Sequence, residues 1–280
     1  GMDPGFLERH WADLPNLDRL RREGDFKRLA TTMPPQSPVA WSTFITGLPP
    51  DGHGIYDFIH RDPATRMPRS SMAETRSGRR LRIGPYLLPL TGDRIETQRH
   101  GTPFWKLLSD HGVPATILRM PTDFPPFECE AHSLAGMGTP DLRGTFGTFV
   151  FFTDREEWKR RKVTGGEVLD VRLENHHAVL ELPGPVNSLR QDQSVTHLKI
   201  DMFVDPAEPV ARFDVGEHRV ILKQGELSEW IPVRFPLIPA LANAGGMIRI
   251  YAKEIGPHVA VYVSPVNIDP RAPAMPISEP

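Results

Sequence analysis

Side chains that could do chemistry are concentrated in PPQSPVAWSTFITGLPPDGHGIYDF, residues 34–58. Ser37 precedes Pro38 and an apolar run, which predicts a helix with Ser37 as its N-cap and Pro38 at its first position. Free backbone N–H groups and the helix dipole at such a terminus stabilise a bound phosphate. A hydroxyl there could attack phosphorus if a metal ion activated it, since no His or Lys lies beside it in sequence. The local pattern alone equally fits a residue that only caps the helix.

The elements that must position this hydroxyl are predicted from apolar spacing. Residues 4–30 show helical spacing, with a break at Pro15 that divides them into two helices and Gly24 as a C-cap. A further helix is predicted over residues 38–47, where Gly47 ends it. Ser37 is therefore expected at the start of a helix.

Later elements follow the order of an α/β fold. Residues 103–111 (PFWKLLSDH) predict a helix closed by Gly112, and residues 113–118 (VPATIL) predict a buried strand. Helix, glycine and apolar strand succeed one another in this way in a parallel sheet covered on both faces. Residues 1–145 hold only about three strand candidates, which indicates a small or partial sheet.

The sequence pattern changes near residue 145. Short alternating runs separated by turn residues predict seven strands, with no helix between them, as in an antiparallel sandwich or barrel. The runs are residues 167–173, 177–182, 196–204, 218–223, 229–235, 247–252 and 258–264. His176 and His177 are expected in an exposed turn between two of them, with no carboxylate at ligand spacing.

Composition excludes several classes of protein. A formal net charge of −2 over 280 residues leaves no basic footprint for nucleic acid. Cys129 is the only cysteine, which excludes an intrachain disulfide and a Cys-rich zinc site. No apolar run reaches membrane-spanning length, and GMDPGFLERHW lacks the pattern of a signal peptide. We therefore expect no membrane segment and, by default, a cytoplasmic location, although the sequence does not identify the compartment.

Residues 61–82 are rich in arginine and poor in large apolar residues. They form either a solvated loop or a partly basic rim above a phosphate site. The arginines are Arg61, Arg66, Arg69, Arg76, Arg79, Arg80 and Arg82.

Several motifs occur in the order seen in a known family. GMDP, PNLDRL, the Ser-Pro before the helix, TG and HGI together resemble the type I phosphodiesterase/nucleotide pyrophosphatase family of the alkaline phosphatase superfamily. The later pieces GMGTPDLRGT and SPVNIDPR resemble a branch of predicted phosphohydrolases in that group that carries a β-rich insertion. The resemblance runs through most of the chain.

The resemblance implies a Ser or Thr nucleophile at the N-terminus of this helix and two zinc ions that bind the phosphate. Counting back from Thr46-Gly47 and from HGI places the nucleophile on Ser37, because Ser42 and Thr43 fall inside the helix. The Asn that contacts phosphate in nucleotide pyrophosphatases is replaced here by Phe58, and Arg61 is a candidate to take over that contact.

Most of the metal ligands that the resemblance implies are not matched. The first ligand, the Asp of an Asp-Gly pair, would precede Gly1, and the others come from motifs in a later segment of the fold. Asp110-His111-Gly112 spells one of those motifs but closes a helix, so we interpret Asp110 and His111 as a chance match. We expect two divalent metal ions, zinc, in the complete parent protein and none in this chain.

Together these features predict an α/β protein with a partial alkaline-phosphatase-like α/β/α core and an inserted antiparallel β-rich domain. Residues 1–145 are assigned to the N-terminal part of the core, residues 146–264 to the insertion, and residues 265–280 to an extended return towards the core. Missing core strands would leave exposed sheet edges, so self-association or a complementing chain is expected.

The predicted function is that of a metal-dependent phosphodiesterase or phosphohydrolase that acts on a small phosphate ester, with this chain catalytically incomplete. One alternative is a non-catalytic module whose β-rich domain recognises a glycan or a protein. For that alternative, Trp230, Phe235 and Tyr251 would form a sugar-stacking surface in place of a core. Another alternative is a phosphomutase or sulfatase of the same superfamily. The sequence does not identify the leaving group.

Overall fold

Short helices and many strands build the protein, whose computed structural model describes residues 2–279. Gly1 and Pro280 lie outside the described residues. The helices are α1 (Pro4–His10), α2 (Pro15–Glu23), α3 (Ser37–Thr46), α4 (Pro50–His53), α5 (Phe104–Asp110) and α6 (Glu156–Lys159). None of the helices in the described residues has the length and apolarity needed to span a membrane.

Twenty strands lie in the described residues. The first eight are β1 (Ile59–Arg61), β2 (Pro68–Ser70), β3 (Ala73–Arg76), β4 (Arg80–Ile83), β5 (Tyr86–Pro89), β6 (Arg94–Thr97), β7 (Thr116–Met120) and β8 (His132–Ala135). The remainder are β9 (Phe149–Thr153), β10 (Gly166–Asp170), β11 (His177–Val186), β12 (Val195–Val204), β13 (Val210–Val215), β14 (His218–Lys223), β15 (Ile231–Ile238), β16 (Ala242–Ile248), β17 (Ile250–Glu254), β18 (Ala260–Val263), β19 (Asn267–Ile268) and β20 (Ser278–Glu279). The mixed α/β class expected from the sequence is confirmed at this level.

The N-terminal helices agree with the predicted break and differ at their ends. Pro15 begins α2, and a 3-10 turn separates it from α1, as the break required. Helix α2 ends at Glu23, and Gly24 is its C-cap as predicted, with its N–H donating to the Leu20 carbonyl at 2.8 Å. Residues 25–30, which the apolar spacing also placed in a helix, are not helical. The N-cap of α3 is Gln36 and not Ser37, so Ser37 is the first helical residue. Gly47 closes α3 at a φ of 70°, a conformation that glycine adopts without strain.

In the first half of the chain, strands β7 and β8 pair in parallel. Strand β20 pairs with the other edge of β8, so the sheet has the order β20-β8-β7. The strand predicted over residues 113–118 begins later, at Thr116, and it is less buried than the sequence predicted. In β7 only Ile117 is buried, while Leu118 is 74% exposed. The reason is position, because a strand with a neighbour on one side only, as β7 has in the described residues, is not covered on both faces.

The arginine-rich segment is not a loop. It forms two-stranded antiparallel ribbons that pair β1 with β2, β3 with β6, and β4 with β5. Salt bridges between neighbouring side chains, such as Arg76 to Glu96 at 3.1 Å, explain how so many arginines lie on short exposed strands.

The second half contains the large core. Its sheets have the orders β10-β9-β18-β17, β11-β12-β13-β14 and β15-β16-β19, and their buried side chains form one apolar cluster. All seven predicted strands are present, although residues 247–252 are shared between β16 and β17. The prediction missed β9 and β13, and β9 pairs with β10 in parallel rather than antiparallel fashion.

Residues after 264 contact both halves of the chain. Strand β19 pairs with β16 in the β-rich half, whereas β20 pairs with β8 beside the parallel pair. The division into segments 1–145, 146–264 and 265–280 stays a prediction.

A close approach between strands makes one glycine of the large core necessary. Gly184 in β11 lies against the fully buried ring of Phe235, and a Cβ at Gly184 would overlap that ring. We expect Gly184→Ala to lower the free energy of unfolding by about 1–3 kcal/mol, because the ring or the strand must move. Urea denaturation measures the change.

Gly245→Ala on β16 is the matched control, since a Cβ there meets nothing within 4 Å. We expect a change within about 0.5 kcal/mol for this variant. Equal losses in the two variants would contradict the packing argument.

Candidate active site

The Ser37 hydroxyl lies at the exposed start of α3. Gln36 accepts the first intrahelical bond, from the Ala40 N–H at 2.9 Å, and no side chain caps the terminus. The backbone N–H groups of the first turn have no intrahelical partner, and Pro38 has no N–H at all. Ser37 therefore combines an accessible hydroxyl with the positive end of a ten-residue helix.

Helix α3 is held by its apolar face. Ile45 is fully buried and packs in a small core with Trp105 of α5, Ile117 of β7 and Ala131. The ring of Phe44 meets that of Phe104 edge to face, with 5.7 Å between centroids. Because both the helix and β7 contribute to this core, the position of Ser37 is set relative to the parallel strands.

The buried ring of His53 fixes α3 against the segment that follows it. Its Nδ1 accepts a hydrogen bond from the Ile55 N–H at 3.1 Å, so the proton of the neutral ring is on Nε2, which lies 3.0 Å from the Thr43 hydroxyl oxygen. The His53 carbonyl accepts from the His100 N–H at 3.0 Å. Burial, and then the positive charge of Arg99, lowers the pKa of His53, while Asp51 opposes this shift.

Arg99, the neighbour of His100 in sequence, belongs to a cluster of buried polar side chains. The Arg99 guanidinium donates to the Thr122 carbonyl at 2.7 Å and lies 3.9 Å from the Asp123 carboxylate, which accepts from the Ser133 hydroxyl at 2.9 Å. Burial raises the pKa of Asp123, and the Ser133 bond and Arg99 oppose that change. In the part of the chain that the structure describes, Arg99 Nε, Thr122 Oγ1 and Asp123 Oδ1 are buried without a partner.

A cavity of about 1030 Å³ opens at the carboxyl ends of the two parallel strands. Its polar wall includes Arg119, which lies near the end of β7, and Gly136 and Thr139, which follow β8. Its apolar wall is formed by Phe58, Ile59, Pro68, Met72, Met137 and Phe146. Ligands of α/β proteins bind at this edge of a sheet.

Sequence reasoning did not identify this cavity or Arg119. The available signal was the Gly-Met-Gly-Thr run directly after a strand, residues 136–139, because glycines there permit close approach of a backbone or a ligand. The predicted phosphate contact, Arg61, is exposed on β1 and donates from Nε to the Arg66 carbonyl at 3.3 Å. Phe58 lines the cavity, whereas Arg61 does not.

The Asp110-His111 pair and the His176-His177 pair, which the sequence singled out, do not line this cavity. Asp110 and His111 end α5, where Asp110 pairs with Lys106 and His111 Nδ1 lies 2.8 Å from the Leu107 carbonyl. His176 lies in an exposed turn before β11, as predicted. His177 begins β11 and pairs with Asp201 of β12 at 2.8 Å, a carboxylate that is 24 residues away in sequence and therefore not at ligand spacing. The partner lies on the neighbouring strand, where local spacing does not reveal it.

The aromatic side chains of the β-rich half divide between core and surface. Phe235 is fully buried, as expected, but Trp230 is 47% exposed and lies beside the guanidinium of Arg249. Trp230 is therefore not a core residue.

Residues 2–279 contain no group of three or more His, Cys, Asp or Glu side chains placed to bind a metal ion. The Asp expected as first ligand would precede Gly1, outside the described residues. The described residues thus do not supply the ligand set of a two-metal site.

The family model described as Type I phosphodiesterase / nucleotide pyrophosphatase matches residues 1–180, which is more than half of the chain. The match contains Ser37, HGI and the cavity at the carboxyl ends of β7 and β8. No match was found among curated proteins or among solved structures.

The lowered pKa of His53 has a consequence for stability. The unfolded chain, with a histidine pKa of about 6.5, binds a proton more readily than the folded chain, so acid favours unfolding. The stabilisation is fully present above the unfolded pKa and decreases as the pH falls below it. We expect urea denaturation at pH values of about 7.5 and 5.5 to show a larger loss in the wild type than in His53→Gln.

The glutamine side chain of this variant does not titrate, but it can still donate to Thr43 and accept from Ile55. An equal loss of stability in both proteins would show that His53 stays protonated or is hydrated in the folded state.

Proposed function

We propose that Ser37 is the nucleophile of a phosphoester hydrolase, because the chain belongs to the type I phosphodiesterase / nucleotide pyrophosphatase family. The family supports phosphoester hydrolysis as the general activity. The observation that carries the assignment to Ser37 is its exposed hydroxyl at the first position of α3. Ser42 and Thr43 do not compete, since Ser42 is buried within the helix and Thr43 is bonded to His53.

The proposed reaction has two balanced steps. The Ser37 oxygen forms a bond to phosphorus and loses its proton while the bond from phosphorus to the leaving oxygen breaks, and the leaving oxygen takes up a proton in exchange, so that the leaving group departs as an alcohol. Water then attacks the phosphoserine, which releases phosphate or a phosphomonoester and restores the hydroxyl. The helix N-terminus stabilises the phosphoryl oxygens in both steps, by about 0.3–1 kcal/mol per charge at an exposed site.

Two divalent metal ions, zinc, remain part of the proposal, because the family is generally metal-dependent. Such ions would lower the pKa of the nucleophile and neutralise the phosphoryl oxygens. Because the described residues supply no ligand set, no step above is assigned to a metal ion held by this chain. Arg61 stays a candidate phosphate contact, although its guanidinium already bonds the Arg66 carbonyl.

The test is hydrolysis of bis-4-nitrophenyl phosphate by this chain, with Zn²⁺ or Mn²⁺ added and with a chelator. If the site is complete, Ser37→Ala is expected to lower the rate at least about 10³-fold, as removal of a nucleophile does elsewhere. Release of 4-nitrophenol measures the rate, and trapping of a ³²P-labelled phosphoserine in the wild type identifies the intermediate.

Ser42→Ala is the matched control on the same helix. The Ser42 hydroxyl is buried without a partner in the described residues, so its removal should leave both folding and turnover unchanged. Turnover that survives Ser37→Ala would contradict the assignment of the nucleophile.

A non-catalytic binding module is the second candidate. The missing metal cluster in residues 2–279 favours it, as does the exposed Trp230 on the β-rich half. No metal-dependent turnover, together with glycan binding that Trp230→Ala abolishes, would support this alternative.

We also propose that the chain self-associates through β7. Within the described residues this strand has a neighbour on one side only, and Leu118 lies opposite Leu134 of β8, with both side chains exposed. An open strand edge beside exposed apolar side chains is a template for pairing with a second copy.

Leu118→Lys should weaken the dimer roughly tenfold or more, because it places a charge at the paired edge. Sedimentation equilibrium over a range of concentrations measures the association. Leu241→Lys is the matched control, since Leu241 is also exposed but lies in the turn between β15 and β16. A wild-type protein that stays monomeric at every concentration would contradict self-association.

A further inference from the structure

We propose that the cavity between Phe58, Met137 and Arg119 binds an amphiphilic organic anion, with the anionic group at Arg119 and an apolar body against the methionines and phenylalanines. Ser37 does not line this cavity, so the inference holds whether or not Ser37 is a nucleophile. Phe58, at the position that the resemblance links to phosphate, lies in this wall, but Arg119 and the apolar side chains Met137 and Phe146 have no role assigned by the family match or by the sequence motifs.

The backbone presents Arg119 to the cavity by an irregularity in β7. The register with β8 shifts between Leu118 and Met120, and Arg119 adopts a φ of 55° at that bulge. An arginine in this conformation is uncommon and strained. Bulges near the end of a strand change the direction of neighbouring side chains, and Arg119 lies in the cavity wall at this bulge.

Gly136 makes this arrangement possible. A Cβ at Gly136 would overlap the backbone carbonyl of Arg119, so only glycine allows the two strand ends to approach so closely. Gly136 also lines the cavity. The bulge and the glycine therefore belong to one local structure, and both Arg119 and Gly136 lie in the cavity wall.

The charge of Arg119 is not balanced by the protein. Arg119 is exposed, and none of the salt bridges or side-chain hydrogen bonds within residues 2–279 involves it. Arg69, the other arginine of the wall, pairs with Asp62 at 3.2 Å and with Glu74 at 2.7 Å. The wall thus contains one arginine whose charge no carboxylate of the described residues balances, which suits a ligand with a single anionic group.

The rest of the wall suits an apolar body. Met72, Met137 and Phe146 contribute flexible and aromatic surface, and Met137 and Phe146 are 43% and 71% exposed. Methionine adapts to ligands of irregular shape. A volume of about 1030 Å³ is large enough for a group well beyond a free phosphate ion. A small hydrophilic anion would leave this apolar surface in contact with water.

Calorimetric titration of the intact chain with alkyl phosphates tests the proposal. Octyl phosphate, below its micelle concentration, should bind, and the affinity should rise roughly threefold for each methylene from butyl to octyl. Inorganic phosphate and octyl glucoside, which represent the head and the tail alone, should each bind at least about tenfold more weakly than octyl phosphate.

Substitutions in the cavity wall test whether octyl phosphate binds there. Arg119→Gln should weaken octyl phosphate binding about tenfold, because a charge-assisted hydrogen bond is lost. Met137→Glu should weaken it at least as much by placing a negative charge within the wall. Arg82→Gln is the matched control, since Arg82 is an exposed strand arginine that does not line the cavity, and it should bind like the wild type.

The outcomes separate this inference from the phosphoester hydrolase proposal. Ser37→Ala should leave octyl phosphate binding within about twofold, whatever it does to turnover. Equal weakening by Arg119→Gln and Arg82→Gln, or binding that does not depend on alkyl length, would overturn the inference. An unchanged thermal unfolding midpoint in Arg119→Gln shows that the loss comes from the ligand contact and not from misfolding.

Discussion

The neutral ring of His53 joins the elements on which the candidate site depends. Its Nδ1 can accept from Ile55 and its Nε2 can donate to Thr43 only while it carries a single proton. The ring thereby fixes α3, and with it Ser37, relative to the chain that continues to β1. Burial maintains this protonation state by lowering the pKa, so the same desolvation that costs energy also specifies the bonding pattern.

From His53 a series of hydrogen bonds continues to the cavity. The His53 carbonyl accepts from His100, and the neighbouring Arg99 donates to the Thr122 carbonyl. The Thr122 N–H in turn donates to the Met137 carbonyl at 2.9 Å, in the wall of the cavity. Helix α3 and the carboxyl ends of β7 and β8 are thus connected by hydrogen bonds that are mostly to backbone carbonyls.

Sequence patterns predicted those parts of the protein whose structure is local. The break at Pro15, the end of α3 at Gly47 and the strands of the β-rich half follow from short-range sterics and alternation. The bounds of β7 and the arginine-rich ribbons were mispredicted, because burial and pairing there depend on strands distant in sequence. The pairing of His177 with Asp201 across two strands likewise depends on residues distant in sequence.

The role that we propose for Arg119 could not be predicted from the sequence at all. Its role depends on a bulge, and a bulge arises from the difference in residue count between two paired strands, which neither strand reveals alone. The sequence contains Gly136 as the complementary feature, but it lies far along the chain from Met120, and only the parallel pairing brings the two strand ends together. The start of α3 near Ser37, by contrast, was predicted to within one residue, because a helix start is specified within about four residues. The role of Ser37 as a nucleophile stays a proposal. Residues positioned by one element are therefore predictable here, and residues positioned by the pairing of two elements are not.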